Sequence, residues 1–326
     1  KNGAIRCAQR YFCRCRALQL TPYLGVLSCW IMSFMPVLLN RSVVVAIVSV
    51  VLAMITIQSG ASVAKQLFPL IGPEGTTALR LGFSALVLWL VFRPWRSLPT
   101  TRRDWSAIVT YGVCLGGMNI LFYLAIARIP LGIGVALEFT GPLAVALFSS
   151  RRKRDLIWVA FAIAGILLLL PDMGGVDALD PIGVVLALAA GACWAGYILF
   201  GKRTNAQASG GITVALGMTV AAAFLVPVGA ISQGMALLSW DVLPLGLVVG
   251  ILSSALPYSL EMVALRNMTS QNFSVFMSME PAIAALAGFL ILAELLTLWQ
   301  WLAIALVIMA SLGSSLTSAT KQTAEI

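Results

Sequence analysis

Apolar runs of bilayer length recur from residue 42 to residue 318, and that recurrence limits the fold more than any other feature of the chain. They fall at 42–64, 75–92, 105–126, 131–150, 156–171, 181–201, 212–231, 242–262, 273–293 and 298–318. A hydrocarbon core of about 30 Å takes roughly 20 apolar residues per helix. Inside it a backbone can satisfy its polar groups only as a helix or a closed barrel. These runs predict an all-α integral membrane protein with ten transmembrane helices. The fifth, Leu156 to Pro171, is short enough to stand upright or to sit in thinned bilayer. The breaks between runs leave no room for a soluble domain, so one helical bundle is expected.

Composition removes whole classes of function. The chain is 60% hydrophobic and 10% charged, where soluble domains carry about 25% charged residues. It has no histidine, which excludes imidazole general bases, Ser-His triads and His-ligated metals. Cys13-Arg14-Cys15 lacks the spacer of a zinc site. Cys7 and Cys29 complete the early cysteines, and Cys114 and Cys193 lie in apolar runs. Inert thiols are expected, with no metal, cofactor or disulfide framework. The net charge of +9 does not point to nucleic acid, because the basic residues occupy short breaks between apolar runs.

Those breaks set an orientation, since Lys and Arg concentrate in cytoplasmic loops. One set of alternate loops holds Arg93, Arg96, Arg102 and Arg103, then Arg151, Arg152, Lys153 and Arg154, then Lys202 and Arg203, then Arg266. Arg41 precedes the first run and Lys321 follows the last. The opposite set holds Lys65 and Arg128, and Asp172, Asp177 and Asp180 in its third loop. Both ends of the bundle are expected in the cytoplasm.

The chain also repeats itself. Gly60-Ala61-Ser62-Val63-Ala64 echoes Gly191-Ala192-Cys193-Trp194-Ala195, at an offset of 131. Tyr123 to Arg128 echoes Glu261 to Arg266 at 138, and Pro142-Leu143-Ala144-Val145-Ala146 echoes Pro281-Ala282-Ile283-Ala284-Ala285 at 139. Five helices per copy is an odd number, so the copies must lie in opposite orientations. Residues 42–171 form the first repeat and 172–318 the second, with 319–326 a cytoplasmic tail. Inverted repeats are the build of many secondary transporters, whose binding sites lie between the halves near the midplane.

Residues 1–41 stand apart. Lys1, Arg6, Arg10, Arg14 and Arg16 precede an apolar stretch from Leu18 to Leu39. Three readings fit: a signal peptide, an eleventh helix, or an upstream segment outside the core fold with Met35 as a natural start.

Several stretches carry a resemblance. Ile57-Gln58-Ser59-Gly60-Ala61-Ser62, Leu115-Gly116-Gly117-Met118-Asn119, Pro130 through Pro142, Ala255 through Glu261, and Met277-Ser278-Met279-Glu280-Pro281 resemble the EamA family of the drug/metabolite transporter superfamily. Within it, the likeness runs to bacterial inner-membrane exporters of threonine and homoserine. The resemblance covers about residues 42–318 and implies ten helices as two inverted five-helix repeats. It implies efflux of small hydrophilic amino acids by proton antiport across the bacterial inner membrane. Its partners would be the amino acid, protons and lipid, with room for a homodimer.

Ionisable groups inside a bilayer are costly, and each is a functional candidate. Glu138 and Glu280 are each the eighth residue of a run, about 10 Å below the entry surface at 1.5 Å per residue. Pro142 and Pro281 stand close by as expected kinks that free a carbonyl one turn back. Aligning the prolines sets Gly141 opposite Glu280, so the glutamates are not strict repeat mates. A zwitterionic cargo needs a partner for each charge. Glu138, Trp194, Tyr197 and Tyr258 suit an ammonium; Arg80, Asn119, Gln58 or broken-helix amides suit a carboxylate.

Each has a plainer reading. Glu280-Pro281 could tie two helices together, Arg80 could reach headgroups, and Glu261 could snorkel or pair with Arg266. Asn119, Gln58 and Thr140 could hydrogen-bond between helices, while Trp194 and Tyr197 pack. The rival functions are an exporter of drugs or other metabolites and, in a different class, a membrane-embedded transferase. The short loops and scattered carboxylates weigh against the transferase.

Overall fold

A computed structural model describes residues 41–96, 98–149, 156–169, 179–204, 210–268 and 270–324. The N-terminal extension 1–40, the basic cluster Arg151–Arg154, and Asp172 and Asp177 lie outside the described residues. Among those residues every regular element is helical. Elements are α1 (Arg41–Phe92), α2 (Arg102–Ile126), α3 (Leu131–Glu138), α4 (Thr140–Ser149), α5 (Leu156–Leu169), α6 (Pro181–Thr204), α7 (Gly210–Gln233), α8 (Leu243–Gly250), α9 (Leu256–Asn267), α10 (Ser270–Met277), α11 (Glu280–Leu292) and α12 (Leu298–Ala324).

Among the described residues six stretches are long and apolar enough to cross a membrane: Val44–Phe92, Arg102–Ile126, Pro181–Gly201, Gly211–Leu238, Leu243–Glu261 and Val275–Leu292. Leu131–Val145, Ile157–Leu168 and Leu298–Gly313 are shorter apolar helices. Large apolar side chains such as Leu86, Leu90, Val185, Phe224 and Leu290 are exposed, as lipid-facing surfaces require.

The interruptions have local causes. In α1 the helix runs on past Lys65, where the sequence suggests a break, and bends instead at Gly72, with φ 62° and ψ 170°. Gly72 precedes Pro73, whose ring disfavours helical geometry one residue earlier and which has no N–H to donate. Thr76 Oγ1 donates to the Gly72 carbonyl at 2.8 Å and Thr77 Oγ1 to that of Pro73 at 2.7 Å. The α2 start is capped by Thr101, whose Oγ1 accepts from Asp104 N–H at 3.1 Å.

Two further breaks matter more. Between α3 and α4 the helix is interrupted at Phe139, three residues before Pro142, which cannot donate to the Glu138 carbonyl. Between α10 and α11 it is interrupted at Ser278 and Met279, just ahead of Glu280-Pro281. A π turn, Ile251–Ala255, joins α8 to α9.

Small residues let these segments approach closely. A Cβ on Gly132 would lie 2.6 Å from Ala285 Cα, and one on Gly288 3.6 Å from Leu131 Cβ. Rising numbers on α3 therefore meet falling numbers on α11, and the two run antiparallel. A Cβ on Gly141 would collide with the Gly191 carbonyl, and one on Gly191 would come within 2.7 Å of the Glu138 oxygen. The break after α3 thus rests directly on the α6 backbone. The central core joins α1, α2, α3, α6, α11 and α12 through residues including Ala61, Tyr123, Ala136, Ala190, Ala284 and Ile304.

Candidate functional site

The helix breaks and the α3–α11 crossing bring the two glutamates together. Glu138 ends α3, six residues past Gly132, and Glu280 begins α11, five residues before Ala285. At 1.5 Å per residue they lie about 9 and about 8 Å along their axes from the same crossing point. Glu138 is 7% and Glu280 5% exposed. They are close enough to feel each other's charge, and Glu138 also feels that of Arg80. Gln58 on α1 donates its Nε2 to Glu280 Oε1 at 3.0 Å. The other oxygens of that pair, Gln58 Oε1 and Glu280 Oε2, are buried without a hydrogen-bond partner. Buried polar atoms without partners are uncommon in folded proteins and call for an explanation such as a ligand.

Arg80, on the second arm of α1, turns inward rather than toward headgroups and is 9% exposed. Its guanidinium carbon lies 5.1 Å from the centre of the Tyr123 ring, a cation–π distance. Arg80 Nη2 donates to the Ser253 carbonyl of the π turn at 3.4 Å. The Arg80 Nε, the Tyr123 hydroxyl, and the Ser253 and Ser254 hydroxyls are buried without partners. A buried cation, two acids and several unclaimed polar atoms therefore converge where α1, α2, α3, α11 and the π turn meet. Such a set can hold both ends of a zwitterion.

The other residues singled out in the sequence sit around this centre. Asn119 is buried and donates Nδ2 to the Leu115 carbonyl of its own helix at 2.8 Å. Trp194 stands edge-on to Phe139, with ring centres 5.1 Å apart, so it wedges the break that follows Glu138. Tyr197 lies against Tyr111 at 4.8 Å between ring centres. Tyr258 packs against the same cluster and feels the charges of Arg80, Glu261 and Glu280. Pro142 and Pro281 each follow a break. Thr140 bonds within its own turn, donating Oγ1 to the Leu137 carbonyl at 2.6 Å.

The EamA-like transporter family model matches residues 181–316. The threonine/homoserine exporter RhtA of Escherichia coli K12 is 55% identical over 271 residues, which is 83% of this chain and 91% of that protein. The chain belongs to the EamA-like transporter family. The Salmonella typhimurium LT2 threonine/homoserine exporter RhtA is 54% identical over the same span. The uncharacterized transporter YwfM of Bacillus subtilis is 27% identical over 272 residues, 78% of this chain and 90% of that one. A crystal structure of a protein 20% identical to the chain superposes with a TM-score of 0.53, covering 82% of this chain and 96% of that one. At that identity the likeness extends to the fold alone. The chain is thus a membrane-embedded transporter of the EamA-like family and not an enzyme.

In this EamA-like chain, three site residues escape sequence reasoning. Tyr123 lies one helical turn beyond Asn119, a spacing that puts both on one face, yet it reads as an ordinary core aromatic. Ser253 and Ser254 are adjacent polar residues inside the run 242–262, which also holds Tyr258, Ser259 and Glu261. That they fall in a π turn has no signature in the sequence, although such turns often occur at functional sites.

Proposed function

We propose that this chain exports small hydrophilic amino acids of the threonine and homoserine kind across the bacterial inner membrane, exchanging them for protons. The observation that carries this reading is the buried Gln58–Glu280–Glu138 group beside Arg80, with unclaimed polar atoms on either side. Kinship with proteins named threonine/homoserine exporters, over most of both chains, supplies the substrate class.

Arg80, a rigid fork of donors, suits the α-carboxylate. The acidic pair suits the ammonium, and two neighbouring carboxylates resist being charged together. A pair that accepts either a proton or an ammonium cannot hold both, and this exclusion couples the two fluxes. Transport proceeds by exposing the shared site to one side and then the other.

The chain crosses the bilayer ten times, with the bent stretch Val44–Phe92 making two passes and the shorter apolar helices one each. The two five-helix halves are inverted repeats. Support comes from Pro142 and Pro281, which share the repeat offset and each sit just inside a helix that resumes after a break. Both ends of the bundle face the cytoplasm, where the basic loops gather.

The test is expression of the full chain in bacteria poisoned by excess threonine or homoserine. The unaltered chain should restore growth. Glu138→Gln should abolish proton-driven threonine efflux at an unchanged membrane level, and full efflux by that variant would remove Glu138 from the mechanism.

A further inference from the structure

The three segments that carry the acid–amide group are also joined at one end of the bundle. Lys65 lies two turns along α1 from Gln58, and its Nζ donates to Glu294 Oε1 at 2.6 Å and to the Ile129 carbonyl at 3.0 Å. The second Glu294 oxygen accepts from the Leu131 N–H, the first of α3, at 2.7 Å. Glu294 stands just past the end of α11, after Ala293, whose left-handed geometry (φ 54°) turns the chain back. The Glu294 N–H donates to the Gly288 carbonyl at 3.1 Å. One carboxylate and one ammonium therefore tie α1, within its first arm, to the start of α3 and the end of α11. Glu138 lies seven residues along α3 from Leu131, so this junction sits about 10 Å above the site.

The side chains of Lys65 and Glu294 are 21% and 15% exposed. An ion pair so sheltered at a helix seam is screened less than a surface pair, yet both partners keep an exposed edge. Water entering at that edge would take up their hydrogen bonds when the pair parts. The residues beneath are small: Ser62 and Ala61 on α1, Ala284 and Ala285 on α11, all buried. Ala61, Ala284 and Ala285 pack in one buried cluster with Leu131 and Val135 of α3, so the closed junction stands over a sealed apolar seam.

We infer that Lys65 and Glu294 form a latch that closes one mouth of the transport pathway, and that it must open in each cycle for solute to pass. The inference rests on the chain being a transporter, and on the site reading for what lies below the latch. It does not depend on which amino acid moves.

Covalent locking tests it. In the full chain carrying Lys65→Cys and Glu294→Cys, oxidation should join the two positions, with the link identified by peptide mass. Threonine efflux should then fall to background and return on reduction. Efflux at the full rate by the cross-linked protein would overturn the latch.

A second measurement needs no efflux. Ser62→Cys, one turn below Lys65, should react slowly with a membrane-impermeant thiol reagent added to intact cells or to inverted vesicles. Adding Glu294→Gln should raise that reactivity several-fold from one side only, while Lys65→Arg, which keeps the pair, should leave it slow. Unchanged labelling in Glu294→Gln would also overturn the latch. Absence of threonine efflux in the unaltered chain, together with one-sided labelling in Glu294→Gln, would sink the threonine assignment and sustain the latch.

Discussion

Arg80 shows how one side chain can acquire a role from its surroundings. In sequence it is a cation near one end of a run, and a headgroup contact is the simpler expectation. The bend at Gly72 and the packing of α1 against the π turn bring it over Tyr123 with its Nε unclaimed. Hydrogen bonds to a charged group contribute about 1.5–3 kcal/mol, and each 1.4 kcal/mol is tenfold in affinity. Arg80→Gln is therefore expected to raise the threonine concentration for half-maximal efflux by roughly tenfold or more. Concentration-dependent efflux from loaded vesicles would measure it. An unchanged half-saturation value would mean that the carboxylate is held elsewhere.

Between elements, backbone proximity decides what is tolerated. Gly141 faces the Gly191 carbonyl with no space for a methyl group, and neither backbone has a flexible end that can move aside. Gly141→Ala should lower the thermal unfolding temperature in detergent, with a cost of about 1–3 kcal/mol typical of overpacking. Gly82 offers the contrast, since a Cβ there would touch Val226 Cγ2 at 3.4 Å, an ordinary contact. Gly82→Ala should be neutral or slightly stabilising, because alanine favours the helix.

A second junction links α2 to α6 through Arg128 Nη1 and Asp180 Oδ2 at 3.0 Å. Asp180 also accepts from the Ile182 N–H at 2.8 Å at the start of α6. The hydrogen bond from Arg128, with that from Ile182, holds the Asp180 carboxyl below its usual range. A depressed acid stabilises the fold above its unfolded-state pKa and loses that contribution as pH falls through the lower, folded value. Asp180→Asn keeps a good cap but loses the charge. It should unfold at a lower temperature than the unaltered chain at neutral pH, and the gap should close below the ordinary carboxylate range. A gap that persists in acid would assign the effect to the cap.

Taken whole, the molecule holds polar atoms that are buried and unpaired where α1, α2, α11 and the π turn meet, and a ligand that satisfies them should stabilise the folded state. A solute binding only the native state adds RT ln(1 + [L]/Kd), about 2.7 kcal/mol at a hundred times Kd. Threonine should raise the unfolding temperature of the purified protein in proportion, and valine, of similar shape without the hydroxyl, should do so less. Equal shifts from both would indicate that the site reads only the amino and carboxyl groups.

Much of this protein is legible in one dimension because lipid imposes a rule that can be counted. A backbone in hydrocarbon must be helical or close into a barrel, so the apolar runs report a helical membrane protein though not where each helix bends or breaks, and the scarcity of charges within them marks Glu138, Glu280 and Arg80 as costly. Pro142 and Pro281 mark the two helix breaks for the same kind of local reason, a missing N–H. Tertiary structure decided which of these residues meet. The Gly132–Ala285 crossing sets Glu138 level with Glu280, and the π turn offers Ser253 to Arg80. Lys65, which ends an apolar run in the sequence, lies inside a helix because the bend falls seven residues later, at Gly72. Glu294 finds Lys65 across 229 residues. Period and composition describe how a segment meets its solvent; contacts between distant segments depend on where close-packing glycines let backbones touch, and no local pattern encodes that partner.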